Sequence, residues 1–497
     1  TLDRSSAASD VYKRQGLLPI LSIKHLCQLC WLQNLMKQQQ EAPRWGKCIV
    51  NKKLSFSLWV VVLLTMFLSA CSDPANNDKE IIFWHSMGGK AADTLNELVN
   101  DFNKSNPGIK VKAINKGSYD EALNLGIAAY RANKAPDIMQ VYEVGTATML
   151  NSEGVIKPVH EVLSENDSSV QSSDFVPAVA GYYANKKGKL MSLPFNSSTP
   201  ILYYNKVAFK KAGLNSENPP KTFEEIKIAA EQLVKNKASG LSCGLTIGWP
   251  AWILLENGAA RNNTLYATED NGFKGLGARL NLKKPYFKKI LTDLTELSKD
   301  HAFVYGGRGD KPSELFTTGQ CGMLIDTSGN YAQISEISKF KLAVAPLPYY
   351  ASLAKVPRNS IIGGASLWVF NNKSPEKYRN IAKFLTYLSS PQVGAKWHQS
   401  TGYIPVTKAA YELSQKQGYY KIHPDAVVPV QQLLGNSVVG SHQGVRLGNL
   451  PAIRDIELGE MEKVFSDKES VEEALATMEA KGNQKLKEFQ SMHSASD

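Results

Sequence analysis

The stretch that decides the fold reads Met191-Ser-Leu-Pro-Phe-Asn-Ser-Ser-Thr-Pro-Ile-Leu-Tyr-Tyr-Asn-Lys206. It begins as a short apolar strand, breaks at Pro194, presents small polar residues and resumes as a strand-like run over residues 201–204. A strand, a polar break and a second strand are typical of a segment that leaves one lobe of a protein and enters another. We therefore expect two lobes that this segment joins.

The polar break consists of Asn196, Ser197, Ser198 and Thr199. If it crosses between lobes, these side chains lie in the cleft, where segments held by a rigid scaffold usually carry binding groups. The alternative is an ordinary turn between two strands, for which Asn, Ser and Thr are equally suitable. The rest of the chain favours the cleft.

The bulk composition fits a soluble protein of two or three domains. The chain has 497 residues, which is too long for one hydrophobic core, and 43% hydrophobic and 21% charged residues. The net charge is +11, but residues 1–71 contain nine Lys or Arg and three Asp or Glu, and so account for +6 of it. The remaining charge forms no basic run, which argues against nucleic acid as a partner.

The N-terminal region is predicted to direct secretion. Three lysines precede an apolar run and Leu68-Ser-Ala-Cys71 follows it; the lysines are Lys47, Lys52 and Lys53, and the run covers residues 54–67. A basic start, a short apolar core and small residues before the cut describe a signal peptide, here residues 47–71. Leu-Ser-Ala-Cys also resembles the lipobox of bacterial lipoproteins, which implies lipidation of Cys71. The alternative is a plain signal peptide with an incidental cysteine.

The segments on either side of this signal are not expected to belong to the fold. Residues 1–46 fit no targeting pattern, and a secretion signal must lie near the start of a translated chain. We therefore interpret these residues as an over-extended start or an assembly scar. Residues 72–79 are interpreted as a flexible tether.

The cysteines suggest one disulfide. Cys27 and Cys30 have C-x-x-C spacing, but no second pair follows, so a metal or redox site is weakly supported. After lipidation of Cys71, Cys243 and Cys321 are the remaining thiols of the secreted part. Because two leftover cysteines in an oxidising compartment often pair, a bond between Cys243 and Cys321 is a hypothesis.

The start of the mature chain alternates strands and helices. Strands are predicted at 80–85, 109–114 and 137–142, with amphipathic helices between them and Ser86 as a possible cap. This pattern predicts a mostly parallel sheet with helices on both faces, whose ligands lie beyond the carboxyl ends of the strands. Four residues lie at or past those ends: His85, Ser86, Tyr119 and Glu143.

Further along, three local features bear on the fold and on a binding site. Gly248-Trp-Pro-Ala-Trp252 places two indoles on a predicted loop, where they serve either as core plugs or as ligand platforms. Gly363 and Gly364 precede a buried strand and permit close approach of backbone N–H groups to a ligand. Thr222 with Glu225 forms a capping box that predicts a helix through about residue 235.

No catalytic motif accompanies these residues. The sequence lacks H-E-x-x-H, G-x-S-x-G, a Walker loop and a G-x-G-x-x-G after a strand. His85 and Glu143 are conceivable as a base and an acid, but they have no nucleophile, metal set or cofactor loop beside them. Hydroxyls, glycine amides, aromatics, one carboxylate and one arginine favour binding of a small polar molecule without transformation.

Several longer motifs are specific enough to compare with a known family. They are Phe-Trp-His-Ser-Met (83–87), Gln-Val-Tyr-Glu-Val-Gly-Thr-Ala-Thr-Met (140–149), Pro-Phe-Asn-Ser-Ser-Thr-Pro (194–200), Ile-Ile-Gly-Gly-Ala-Ser-Leu-Trp-Val (361–369), Trp-His-Gln (397–399), Thr-Gly-Tyr (401–403) and Arg-Leu-Gly-Asn (446–449). Together they resemble the glycerol-3-phosphate-binding branch of the maltose-binding-like extracellular solute-binding proteins of ABC importers. The resemblance covers about residues 80–489. It implies the type II two-lobe α/β fold, with hinge crossings near 195, 357 and 403. The implied first lobe is 80–195 and 357–402, and the second is 196–356 and 403–497.

The resemblance also implies the ligand-binding residues. By motif these are Tyr119, Glu143, Ser198, Trp249, Trp252, Thr327, Gly364, Tyr403 and Arg454, with Ser328 as a substitute for Thr327, because the family has Ser-Ser-Gly where this chain has Thr327-Ser-Gly329. Arg454 is expected to give a bidentate fork to a phosphate, completed by Ser198, Tyr403 and the Gly364 amide. Glu143 is expected to accept from glycerol hydroxyls, and the two indoles to cover the carbon chain or a choline head.

The function implied is capture of sn-glycerol-3-phosphate and its diesters, such as glycerophosphocholine, for delivery to permease subunits and their ATPase. The resemblance implies no enzyme activity, cofactor, metal or nucleic acid, and a periplasmic or otherwise extracytoplasmic monomer whose contact with the membrane is the lipid at Cys71. Two rivals remain open. One is binding of a sugar or oligosaccharide on the same fold, which tryptophan stacking suits. The other is a glycerophosphodiesterase using Glu143 and His85.

Overall fold

The computed structural model describes residues 78–434 and 443–494. The predicted signal peptide, the lipidation site at Cys71, residues 1–46 and most of the predicted tether lie outside the described residues. Two β-sheets organise the described part of the chain.

The first sheet has six strands in the order β2-β1-β3-β10-β4, with β5 paired to β10. Its strands are β1 Glu80–His85, β2 Lys110–Asn115, β3 Ile138–Tyr142, β4 Ile156–Lys157, β5 Leu193–Ser198 and β10 Gly363–Phe370. Every residue of β3 is buried, which fits a strand between two neighbours with helices on both faces. In β1 burial alternates, so Ile81, Phe83 and His85 point toward the core.

The second sheet has four strands in the order β7-β8-β6-β9. Its strands are β6 Pro200–Asn205, β7 Cys243–Ile247, β8 Cys321–Thr327 and β9 Leu342–Pro346. The predicted disulfide is present between Cys243 and Cys321, which are register partners at the start of the parallel strands β7 and β8. It closes a separation of 78 residues.

Helices cover both sheets. In chain order they are α1 Gly89–Ser105, α2 Tyr119–Arg131, α3 Thr146–Leu150, α4 Val159–Ser164, α5 Pro177–Tyr183, α6 Lys206–Lys211, α7 Phe223–Lys235, α8 Gly258–Arg261, α9 Pro285–Lys299, α10 Ser313–Thr317, α11 Tyr331–Ile337, α12 Pro375–Leu388, α13 Pro391–Thr401, α14 Lys408–Lys416, α15 Tyr419–Ile422, α16 Val428–Leu434, α17 Leu450–Phe465 and α18 Val471–Ser494. A π-helical segment, Ala251–Asn257, precedes α8. The last two long helices pack on each other and on α9.

Local signals account for several helix ends. Thr222 accepts from the Glu225 amide and Glu225 accepts from the Thr222 amide, which confirms the predicted capping box of α7. Ser118 caps α2 in the same way. The possible cap at Ser86 is wrong, because α1 begins at Gly89 with Gly88 before it, and the Ser86 hydroxyl instead donates to the Ser118 carbonyl.

Two crossings connect the sheets. Thr199 alone separates β5 from β6, and the chain returns between β9 and β10 through Ser360. The Gln432 side chain ties the crossings together, since its amide donates to the Thr199 hydroxyl at 3.1 Å, the Ser360 hydroxyl at 2.8 Å and the Pro200 carbonyl at 2.9 Å. The predicted lobe limits near 195, 357 and 403 stay predictions. Just beyond the last of them, the Val406 carbonyl accepts a hydrogen bond from the amide of Val176, a residue of the predicted first lobe.

The expectation of mostly parallel sheets is corrected. Strands β2, β1 and β3 are parallel, but β10 runs antiparallel to β3, β4 and β5, and β6 runs antiparallel to β8 and β9. The reason is that the crossing strands leave and re-enter each sheet in the opposite direction to the strands of the βαβ units. Periodicity within each strand carries no information about that direction.

Candidate ligand-binding site

A pocket lies between the two sheets, where strands of both end. Its void volume is about 460 Å³, including the part open to solvent. The first sheet and its helices contribute Tyr119, Tyr142, Glu143, Ser198, Gly363 and Gly364. The remaining lining residues are Trp249, Trp252, Thr327, Asn330, Tyr403 and Arg454.

The pocket brings together nine of the ten residues that the sequence nominated for ligand binding. The tenth, Ser328, is fully buried beside the pocket, and its hydroxyl accepts from the Thr199 amide at 3.3 Å. Thr327 therefore occupies the lining position, and Ser328 braces the crossing.

Backbone geometry explains the glycine pair at the start of β10. Gly364 has φ +97°, and a Cβ at this position would lie 1.8 Å from the Asn196 carbonyl oxygen. At Gly363 a Cβ would lie 2.4 Å from the Trp252 ring. Only glycine allows β5, β10 and the indole to approach this closely, and the approach places backbone of both glycines at the pocket wall.

Tyr403 is positioned by the end of helix α13. Gly402 adopts φ +97° after Thr401, which turns the chain so that the Tyr403 ring stacks on Trp397 at 5.6 Å. The His398 Nδ1–H donates to the Tyr403 carbonyl at 2.7 Å, so Nε2 accepts from the Tyr420 hydroxyl at 3.0 Å. Burial lowers the pKa of His398 to about 4, which keeps this tautomer neutral.

Tyr119 is held by hydrogen bonds that run through two side-chain amides. The Asn196 side chain donates to the Tyr119 hydroxyl at 3.0 Å and accepts from Gln140 at 2.8 Å. The Tyr119 ring stacks on Tyr142 at 5.1 Å. Burial, together with the neighbouring Tyr403, raises the pKa of Tyr119, so its hydroxyl stays a neutral donor. Of the four residues of the polar break, Asn196 thus orients a lining residue and Ser198 lines the pocket itself.

Thr327 lines the pocket with a hydroxyl that is able to donate. Its oxygen already accepts from the Gly329 amide at 3.2 Å, which leaves the O–H free to donate. Together with Ser198, Tyr403 and the glycine pair, it makes up an uncharged part of the lining.

The two indoles line the pocket, but they do not lie on one loop as the sequence predicted. Trp249 follows β7 with φ 45°, and its backbone amide donates to the Gly309 carbonyl at 2.7 Å. Trp252 lies inside the π-helical segment, a form common near functional sites. Both indole N–H groups are buried and lack a partner among the described residues. They remain available to an acceptor on a ligand.

A second part of the lining is charged. Arg454 on α17 donates from Nε to Glu256 at 2.6 Å and from Nη2 to the other Glu256 oxygen at 2.9 Å. Nη2 also donates to Glu143 at 2.9 Å. The fork expected to hold a phosphate is therefore directed at Glu256. Burial raises the pKa of Glu143, and the shared Arg454 offsets this only in part.

Four residues of the site were not among the ten nominated for ligand binding. Tyr142 and Gly363 adjoin nominated residues and lie within quoted motifs, and Asn330 directly follows Thr327-Ser-Gly329. Glu256 lies behind the pocket and is buried. Its signal is a lone carboxylate in the apolar run Ala251-Trp-Ile-Leu-Leu-Glu256, since a buried charge needs a partner.

His85 does not line the pocket. It is buried at the end of β1, where its Nδ1 accepts from the Met87 amide at 3.2 Å, and burial lowers its pKa to about 4. Within 78–434 and 443–494, no three His, Cys, Asp or Glu side chains are arranged to share a metal ion. Across the same ranges, no helix combines the length and apolar character needed to span a membrane.

Comparisons with known proteins agree with this architecture. Residues 97–423 match the family described as bacterial extracellular solute-binding protein. The chain is 46% identical over 411 residues to the sn-glycerol-3-phosphate-binding periplasmic protein UgpB of Salmonella typhimurium strain LT2, covering 82% of this chain and 93% of that protein. The identity and coverage are the same for UgpB of Escherichia coli strain K12.

Solved structures show the same two-lobe fold. UgpB from Mycobacterium tuberculosis in complex with glycerophosphocholine superposes with a TM-score of 0.71 at 23% identity, covering 83% of this chain and 99% of that one. Maltose-bound MalE3 of T. maritima gives 0.67 at 17% identity, with 83% and 99% covered. The predicted α/β two-lobe class is thereby confirmed. The chain belongs to the bacterial extracellular solute-binding protein family.

Proposed function

We propose that this protein is the substrate-binding component of an ABC importer and captures sn-glycerol-3-phosphate and glycerophosphodiesters such as glycerophosphocholine. Support comes from the 46% identity to proteins named for binding sn-glycerol-3-phosphate. The observation that carries the proposal is a pocket lining that combines uncharged donors with a cluster of carboxylates around one arginine.

The uncharged part of the lining suits the phosphate. Donors from Ser198, Thr327, Tyr403 and the Gly364 amide can surround an anion, and bonds to a charged acceptor contribute on the order of 1.5–3 kcal/mol each. The charged part carries two carboxylates and one guanidinium, and a phosphate there would face like charge. We therefore assign it to the glycerol hydroxyls, with Glu143 accepting and Arg454 donating.

The indoles fit the rest of the ligand. Trp249 and Trp252 offer apolar faces to the glycerol carbons, and in a diester such faces attract a quaternary ammonium group. A phosphodiester keeps one negative charge, so the same neutral donors serve both ligand classes.

Titration calorimetry with sn-glycerol-3-phosphate, glycerophosphocholine and maltotriose tests the proposal. We expect saturable binding of the two phosphate compounds and none of the sugar. The Ser198→Ala variant is expected to bind sn-glycerol-3-phosphate about tenfold more weakly, since one donor to the anion is lost. Undetectable binding of both phosphate compounds by the wild type would overturn the proposal.

A sugar ligand is the second candidate, favoured by the two pocket indoles, because aromatic faces also stack on sugar rings. Maltotriose titration distinguishes it. The diesterase candidate needs both Glu143 and His85, and His85 does not line the pocket. Prolonged incubation with glycerophosphocholine should therefore release no choline.

We also propose the finer points of location and partners. The protein acts outside the cytoplasm, anchored through lipid at Cys71, and delivers ligand as a monomer to permease subunits coupled to an ATPase. The relatives named as periplasmic proteins support the compartment. Metabolic labelling with a fatty acid analogue in wild type and Cys71→Ala tests the anchor, and label in both would contradict it.

A further inference from the structure

Arg454 is the only cationic side chain among the described residues that line the pocket. Its Nε and Nη2 atoms both bond Glu256, and Nη2 also bonds Glu143. No described residue accepts from its Nη1. One N–H-bearing nitrogen thus stays free for a ligand, while the fork that suits a phosphate or carboxylate is occupied.

Glu256 itself does not line the pocket. Its side chain is only 2% exposed, and it reaches Arg454 across 198 residues of sequence from the π-helical segment. Arg454 carries 12% exposure, which is enough for one edge of the guanidinium to face the ligand. Arg454 therefore lies at the pocket wall, and Glu256 lies on the side of Arg454 that faces away from the pocket.

The charge count of this part of the pocket follows from the same contacts. Two carboxylates, Glu143 and Glu256, share one guanidinium. If Glu256 were neutral, the charge of Arg454 would balance Glu143 alone. With Glu256 charged, the carboxylates outnumber the guanidinium, and a second anionic group on a ligand is repelled.

We infer that Glu256 is a specificity-determining residue that occupies the fork of Arg454 and so makes this part of the pocket accept hydroxyls and reject a second anionic group. The inference rests on the proposed function and deepens it. It assigns Glu256 a role in discrimination and not in direct contact with the ligand, since it acts through Arg454.

A pair of isosteric ligands tests this role. 3-Phosphoglycerate carries a carboxylate where sn-glycerol-3-phosphate carries a hydroxymethyl group. The quantity to measure by calorimetry is the ratio of the two dissociation constants. We expect wild type to prefer sn-glycerol-3-phosphate strongly, and Glu256→Gln to reduce that preference by about tenfold or more, because glutamine no longer neutralises Arg454 and leaves its positive charge to a ligand carboxylate.

The matched control is Glu462→Gln. Glu462 forms the same bidentate contact with Arg308, at 2.7 and 2.8 Å, on the same helix but outside the pocket. This variant should leave the ratio unchanged. Glu256→Asp keeps the charge but is too short to span both nitrogens, so we expect an intermediate reduction of about threefold.

The possible results separate the inference from the proposed function. Equal weakening of both ligands in Glu256→Gln would make Glu256 a merely structural residue and overturn the inference. If Glu256→Gln does not fold, an unchanged ratio in Glu256→Asp overturns it in the same way. Failure of the wild type to bind sn-glycerol-3-phosphate would instead remove the proposed function, and the inference with it.

Discussion

The protein builds the same arginine fork twice, in two environments. Arg454 bonds Glu256 through Nε and Nη2 at 2.6 and 2.9 Å, and Arg308 bonds Glu462 through the same atoms at 2.7 and 2.8 Å. The first pair is 12% and 2% exposed and the second 40% and 36%. Their bond lengths do not distinguish them, so burial decides what each fork does.

Burial changes the electrostatics of each pair. In the exposed pair of Arg308 and Glu462, the outer fork, the hydrogen bond from Arg308 lowers the pKa of Glu462, as expected for a carboxylate in partial contact with water. In the buried pair of Arg454 and Glu256, the inner fork, burial by itself would lower the pKa of Arg454, but Glu256 and Glu143 outweigh it and raise this pKa well above its ordinary value. The inner arginine is thus held charged by its neighbours, and each member depends on the others.

The largest expected effect is that of Arg454→Ala. It leaves Glu143 and Glu256 buried without a cation, which destabilises a protein by about 3–5 kcal/mol. Binding of sn-glycerol-3-phosphate should also become undetectable. Arg308→Ala should cost about 1 kcal/mol or less and leave binding intact. Urea unfolding and calorimetry measure both, and equal losses of stability would contradict the comparison.

A double-mutant cycle isolates each pair. Combining Arg454→Ala with Glu256→Gln should give a coupling free energy of about 2–3 kcal/mol, within the range for residues in contact. The cycle of Arg308→Ala with Glu462→Gln should give about 0.5 kcal/mol. A coupling at the outer fork as large as that at the inner one would mean that geometry matters more than burial.

The pH dependence of stability should have opposite signs at the two forks. The pKa of Glu143 is raised above its ordinary 4.5, so the folded state holds a proton that the unfolded state has lost, and stability falls as pH rises above 4.5. Glu143→Gln should remove that slope. The pKa of Glu462 is lowered, so its contribution is present at neutral pH and is lost as pH falls below 4.5. Unfolding free energies at pH 4, 5.5 and 7 measure this, and parallel profiles for Glu143→Gln and Glu462→Gln would refute it.

Salt should give the smallest effect. The screening length is about 3 Å at 1 M ionic strength, so the coupling between Arg308 and Glu462 should fall toward zero. The coupling between Arg454 and Glu256 should change by less than about a quarter, because solvent ions do not reach a buried pair. Repeating both cycles at low and high NaCl tests this, and loss of the inner coupling at 1 M would count against burial as the cause.

The lining of the pocket was predictable from short motifs. Nine nominated residues meet there, and most of them lie at a strand end or near a helix start within motifs that resemble the family, as Ser198 does after Pro-Phe-Asn-Ser. The capping box of Thr222 and Glu225 and the disulfide were also predictable, from local pattern and from cysteine number. Ser86 was mistaken for a cap because its hydroxyl has a better acceptor, the Ser118 carbonyl, that only the folded chain supplies.

The sequence by itself determined the α/β class of fold and the positions of most strands and helices, since apolar periodicity and capping residues act over a few positions. Most residues of the pocket wall were identified through motifs that resemble a known family. The tertiary structure decided the antiparallel direction of the crossing strands and the partner of Arg454. Both depend on contacts between residues far apart in the chain, and whether a buried charge finds its partner across 198 residues is fixed only when the lobes assemble.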